Sequence, residues 1–266
     1  MSCRIIAITN QKGGVGKTTT SINLASALSV IKRRVLLIDL DPQGNATVGS
    51  GVNKDAISLG AYEALMCKQG IESTLVSTDF SYDLLAANAD LTAAEIELLE
   101  VAKKEYRLRD ILAPLVTRYD FILIDCPPSL NILTLNALVA AGSVMVPMQC
   151  EYYALEGLAS LMDTIEKVRQ YLNPKLTIDG LLRTMFDARN SLSNEVSRQL
   201  IEYFEGKVYR TVIPRNVRLA EAPSHGEPVI VYDPRSKGAL AYLGLAGELI
   251  RNVSVKKDQA ESVTEV

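Results

Sequence analysis

Residues 11–18 read QKGGVGKT, and their types and spacing fit phosphate chemistry. The pattern G-x-x-x-x-G-K-[ST] is met by Gly16, Lys17 and Thr18, with Gln11 where the first glycine normally stands. Gly13, Gly14 and Gly16 let backbone N–H groups converge on phosphate oxygens, with Val15 and Thr19 completing the cradle. Lys17 is spaced to reach β- and γ-phosphates, and the Thr18 hydroxyl to ligate Mg²⁺. The helix that opens there adds its partial positive charge. Lys12 is a second lysine in the same loop, and two ammonium groups this close repel unless a polyanion lies near both. It is either a solvated lysine at the loop mouth or one aimed across an interface at the nucleotide of a second, identical subunit.

Two acidic segments complete a catalytic set. LLIDLDPQGNAT (36–47) places Asp39 at a strand end and Asp41 two residues on. At the C-terminal edge of a parallel sheet such carboxylates face the ligand crevice. Asp41 is a candidate to orient or deprotonate an attacking water and Asp39 to support the Mg²⁺ shell; capping of the following turn is the alternative for each. FILIDCPPS (121–129) is four apolar residues followed by Asp125, a Walker B pattern whose carboxylate holds Mg²⁺ through water.

The elements that must position these residues alternate along the chain. RIIAIT (4–9) and RVLLID (34–39) read as strands buried on both faces, and residues 18–31 between them carry apolar residues at helical spacing. Further strands are expected at 82–87, 120–125, 143–148, 176–186 and 207–213. Helices are expected near 91–101, 106–117, 131–141, 155–171, 192–204 and 239–251. The pattern calls for an α/β fold, a three-layer, doubly wound, mostly parallel sheet with a P-loop NTPase core. With no proline- or glycine-rich linker, residues 1–251 form one expected domain, and the polar residues 252–266 an expected disordered tail.

The bulk composition is ordinary: 266 residues, 48% hydrophobic, 22% charged, formal net charge -3. Cys3, Cys67, Cys126 and Cys150 show neither a C-x-x-C pair nor a metal-binding spacing and read as reduced thiols. No secretory leader is visible and no apolar run approaches the ~20 residues of a bilayer span, so a cytoplasmic protein is expected. Charge is nevertheless polarised. Residues 183–218 carry seven cations against four acids, a net +3, whereas residues 55–110 carry five against eleven, a net -6.

KGGVGKTT resembles the deviant Walker A motif of the ParA/MinD class of ATPases. The resemblance implies that Lys12 is the signature lysine contacting phosphate across an ATP-sandwich homodimer, and that Asp41 lies in switch I and is needed for hydrolysis. TVIPRNVRLAEAPSHGEPV (211–229) also resembles this family and implies that Pro214, Arg215 and Asn216 line an adenine pocket. CEYYALEGL (150–158) and VYDPRSKGA (231–239) look like the chromosomal Soj/ParA branch, the likeness extending over residues 3–251. What this implies is a nucleoid-associated ATPase whose ATP dimer binds double-stranded DNA without sequence preference, through Arg189 and Arg218. A ParB-type centromere-binding partner stimulates hydrolysis and release, partitioning a chromosome or plasmid. With the loop starting at residue 11, no preceding helix-turn-helix domain and no operator-specific repression are expected. A MinD-like membrane cycler would need a basic amphipathic C-terminal helix, which the tail does not spell, so no membrane partner is expected. A metabolic P-loop enzyme would explain the loop and acids but not Lys12 with the arginine region.

Overall fold

The aliphatic runs form a seven-stranded sheet in the computed structural model of the protein, which describes residues 3–152 and 154–264. In chain order, with short 3-10 turns between, the first elements are β1 (Arg4–Ile8), α1 (Lys17–Val30), β2 (Val35–Asp39), α2 (Asn45–Val48), α3 (Ala61–Leu65), β3 (Leu75–Ser77), β4 (Asp83–Leu85), α4 (Leu91–Glu97) and α5 (Arg107–Leu112). They continue with β5 (Phe121–Asp125), α6 (Ile132–Ala140), β6 (Ser143–Gln149), α7 (Ala154–Tyr171), β7 (Thr177–Thr184), α8 (Ser191–Tyr203), α9 (Val217–Glu221), α10 (Val229–Tyr232) and α11 (Lys237–Thr264). The strand order is β3-β4-β2-β5-β1-β6-β7. All neighbours are parallel except β3, which runs antiparallel to β4 at the edge. Among the described residues, no helix is long and apolar enough to cross a membrane.

Alternation along the central strands builds two cores, because successive side chains point to opposite faces. Leu36, Ile38, Ile122 and Ile124 join a core shared with α3–α8. Ile6, Ile8, Leu37 and Leu123 join a second core against α1, α10 and α11. Asp39 continues the Leu37 face and Asp125 the Leu123 face, so both carboxylates stand on the α1 side of the sheet. The register pairs Ile8 with Asp125 and Asp39 with Asp125, which sets the two acids side by side just below the loop that follows β1.

One expected strand is corrected. Residues 207–213 form no strand; they touch the sheet edge through the isolated bridge Leu181–Val208. Lys207, Tyr209 and Ile213 still exchange backbone bonds with Leu181 and Arg183 of β7, and the groups between them are taken by side chains. The Glu248 carboxylate accepts from the N–H of Arg210 and of Thr211, and the buried Arg183 guanidinium donates to the carbonyls of Tyr209 and Arg210. The strand β3 was not foreseen, because three residues are too short to show alternation. The last helix, α11, is described as far as Thr264.

Candidate nucleotide site and arginine face

Gly14 and Gly16 lie in the left-handed region, at φ 73° and 86°, so the loop after β1 can curl around a concavity. Gly16 is the N-cap of α1 without a side-chain cap, leaving first-turn N–H groups open to the loop. Lys17 is only 7% exposed, and its ammonium donates to the carbonyl of Lys12 at 3.1 Å. Burial lowers its pKa, with the negative charge of Asp125 the largest opposing influence. The loop borders a cavity of about 300 Å³ that also takes in Thr18, Asp41, Asn45 and Met185.

Beside it lies an apolar cavity of about 170 Å³, walled by Ile213, Pro214, Arg215, Asn216, Leu219 and Tyr242. Gly16, Thr19 and Met185 border both cavities. Asn216 caps α9 by accepting from the Arg218 N–H, and Tyr242 is anchored at 3.2 Å to the Thr20 hydroxyl on α1. A flat apolar pocket joined to a phosphate-sized concavity matches a nucleotide's base and phosphates.

The acids differ in their environments. Asp125 is fully buried; one oxygen accepts from the Ser21 hydroxyl at 2.8 Å and the other, Oδ2, has no partner. Burial and the neighbouring Asp39 push its pKa up. An orphaned, desolvated carboxylate oxygen suits a hydrated cation, so the residues present fit Mg²⁺ held by Thr18 and Asp125. Asp39 is also fully buried, but its oxygens accept from the Asp41 N–H, the Thr47 N–H and the Thr47 hydroxyl. Its place in any metal shell is therefore indirect: it anchors the loop that carries Asp41 to the cavity wall. Ser21 was missed in the sequence, although it follows Lys17 by one helical turn and so shares its face.

Lys12 and Lys17 have different surroundings, one exposed and one buried. The Lys12 ammonium is 41% exposed and lies 2.6 Å from Glu151 Oε2, an open ion pair in the same chain. Beside it Gln11 approaches Ser160 at 3.4 Å through its carbonyl oxygen, while its amide nitrogen is buried without a partner.

Every one of the arginines singled out on the basic stretch has an identifiable environment. Arg189 is 91% exposed and forked onto Asp187, whose carboxyl it holds down at about 2. Arg218 pairs with Glu221 at 2.8 Å and Asp233 at 3.3 Å. Arg215 borders the apolar cavity. Arg183 leaves the count of surface charge: it is buried and binds Ser197 and the 209–210 backbone. His225 stacks on Tyr232 at 4.9 Å. All four cysteines are free.

Comparison with known proteins bears on this site as a whole. A family model described as an AAA domain matches residues 3–178. The chain is 61% identical over 249 residues to an uncharacterised protein of Pseudomonas putida, covering 93% of this chain and 95% of the relative. It is 52% identical over 254 residues to the chromosome partitioning protein ParA of Myxococcus xanthus, covering 95% and 90%. It is also 52% identical over 250 residues to the sporulation initiation inhibitor protein Soj of Bacillus subtilis, covering 94% and 99%. Among solved structures, a cobyrinic acid a,c-diamide synthase from Mycobacterium smegmatis with bound ADP and magnesium superposes with a TM-score of 0.84 at 40% identity, covering 95% of this chain and 96% of that one. The cell division ATPase MinD of Pyrococcus furiosus gives 0.78 at 27% identity, covering 93% and 98%.

Proposed function

The chain belongs to the ParA/Soj family of chromosome-partitioning ATPases, and from that premise we propose that ATP switches it between a monomer and a DNA-holding sandwich dimer. The observation that carries this reading is the division of labour between the two loop lysines. Lys17 is buried inside the loop and serves the chain's own phosphates, while Lys12 stands outside it in an exposed ion pair. Exposed pairs of this kind contribute little, so a phosphate presented by a second subunit can compete for Lys12.

In the proposed cycle the base enters the apolar cavity against Pro214, Arg215 and Asn216. The phosphates lie over Gly13, Gly14, Val15 and Gly16, with Lys17 on the β- and γ-oxygens and Thr19 at the first turn of α1. Thr18 and Asp125 would hold Mg²⁺, which supplies charge neutralisation at the phosphates. Lys12 reaches the partner's nucleotide and closes the homodimer. Asp41, on the loop anchored by Asp39, orients the attacking water or takes its proton. Loss of the γ-phosphate removes the link across the dimer, and the subunits separate. Dimerisation doubles the set Arg189 and Arg218, so non-specific DNA binding follows ATP. A ParB-type partner would complete the transition-state contacts of a slow enzyme and place the cycle on the nucleoid.

The deciding experiment is retention of Asp41→Ala on a random-sequence duplex with ATP and with ADP across a salt series, alongside Lys12→Ala. Tight, salt-sensitive retention with ATP alone is expected for Asp41→Ala, and none for Lys12→Ala, which should still bind ATP as a monomer. ATP binding without DNA retention in Asp41→Ala would sink the partition reading. Attention would then shift to membrane cycling or to an amide-forming metabolic enzyme, tested with vesicles and small-molecule acceptors.

A further inference from the structure

Met185, the residue just past β7, is the part of the nucleotide site that the motifs do not explain. Its backbone is left-handed at φ 47°, a region that long side chains seldom adopt and that persists only where the surroundings impose it. Those surroundings are the two halves of the site. On one side the Thr184 hydroxyl donates to the Val15 carbonyl in the phosphate loop at 2.7 Å. On the other, the Phe186 N–H donates to Ile213, and the Phe186 carbonyl accepts from the Arg215 N–H, in the wall of the apolar cavity. Between them the thioether borders both cavities, its sulfur against the Gln149 amide. Its methyl carbon is 3.9 Å from where a Cβ on Gly16 would stand. Two residues further on, Asp187 grips the exposed fork of Arg189.

We propose that Met185 is a positioning residue: a bound nucleoside triphosphate packs against its side chain at the junction of base and phosphates, and thereby fixes the direction of the Asp187–Arg189 turn. The sugar is the part of the nucleotide that lies at this junction, and its apolar face suits a polarisable thioether. Because Thr184 and Phe186 are tied to opposite walls, a force on the Met185 side chain is taken up by the backbone of residues 185–189. Nucleotide occupancy is thus felt at an arginine that does not touch the nucleotide.

This rests on the nucleotide reading above, and the test separates the two. ATP, ADP and inorganic tripolyphosphate are titrated into wild type, Met185→Ala, Met185→Gly and Met185→Leu. Dimerisation by sedimentation and the salt needed to elute each variant from DNA are then measured at saturating ATP. The alanine and glycine variants should lose about threefold to tenfold in ATP and ADP affinity while tripolyphosphate binding is unchanged. Both should dimerise at saturating ATP yet elute from DNA at lower salt, and the leucine variant should restore both properties. Glycine tolerates the left-handed backbone, so that variant remains informative if alanine impairs folding. Equal elution of all variants would overturn the proposal, as would a parallel loss of tripolyphosphate binding or a failure to dimerise that accounts for the weaker DNA binding. Failure of the wild type to bind ATP would instead remove the nucleotide reading itself.

Discussion

Lys17 and Arg189 are both cations suited to phosphate, yet they are held in opposite ways. Lys17 is 7% exposed, its charge disfavoured by burial, and its ammonium donates to a backbone carbonyl. Arg189 is 91% exposed and already carries a carboxylate, as does Arg218 on Glu221 and Asp233. In the crevice, folding has already buried most of the Lys17 side chain, so a phosphate arriving there meets a cation whose desolvation is largely complete. On the arginine face, under the proposed function, a DNA phosphate would have to displace an intramolecular carboxylate in open solvent, an exchange with little net gain for each pair. Under that reading, affinity in the crevice is expected to come from geometry, and affinity on the face from multiplicity and low salt.

The sharpest way to break this contrast is Lys17→Ala. Removing a buried, charge-assisted phosphate ligand should cost ATP on the order of a hundredfold in affinity, read by titration with a fluorescent nucleotide. A loss under about fivefold would show that burial confers nothing special on this lysine. Next in size is Arg189→Glu with Arg218→Glu. DNA retention of the ATP form should fall by about tenfold or more, with the dependence on log salt shallower by about one for each DNA phosphate that the face no longer neutralises. ATP affinity and dimerisation should be unchanged. A uniform loss of both would mean that the arginines serve the fold.

Ser21→Ala tests how far the crevice depends on orientation alone. It removes the Ser21 hydroxyl that donates to Asp125 and should raise the Mg²⁺ concentration needed for tight ATP binding by roughly fivefold, at about 1 kcal/mol for a missing hydrogen bond. An unchanged Mg²⁺ titration would take Ser21 out of the site.

The smallest effect is one of sign. Asp39 and Asp125 have folded-state carboxyls pushed above the usual range by burial, so between the usual carboxylate range and neutrality the folded, ligand-free protein binds more protons than the unfolded chain. Their contribution is fully present below the usual carboxylate range and is lost as pH rises through the folded values. Asp187, held down by Arg189, has the opposite sign: its contribution is present above the usual range and is lost as pH falls through about 2. The thermal midpoint without ligand should therefore drop by a few degrees between pH 5 and 8, and Asp125→Asn should flatten that slope. A midpoint that rises over the same interval in the parent protein would contradict the burial argument.

Much of this was legible along the chain. Gly16-Lys17-Thr18, the strand ends at Asp39 and Asp125, and the longer helices, though not the short α2, α3, α9 and α10, follow from local chemistry: β-branched runs, glycine at left-handed positions, apolar residues at helical spacing. These features depend on neighbours a few residues away, so a single sequence carries them. The remainder depends on residues far apart. Residues 207–213 have the look of a strand, but Arg183 and Glu248 take the backbone groups of 209–211 and interrupt the pairing with β7. Arg183 counted as surface charge until the fold buried it. Asp39 and Asp125 look equivalent as strand-ending acids, yet Thr47 saturates one and the other keeps an unpaired oxygen. Whether a charge meets water, a donor or an empty direction is settled by which distant segment packs against it, and only the folded chain makes that choice.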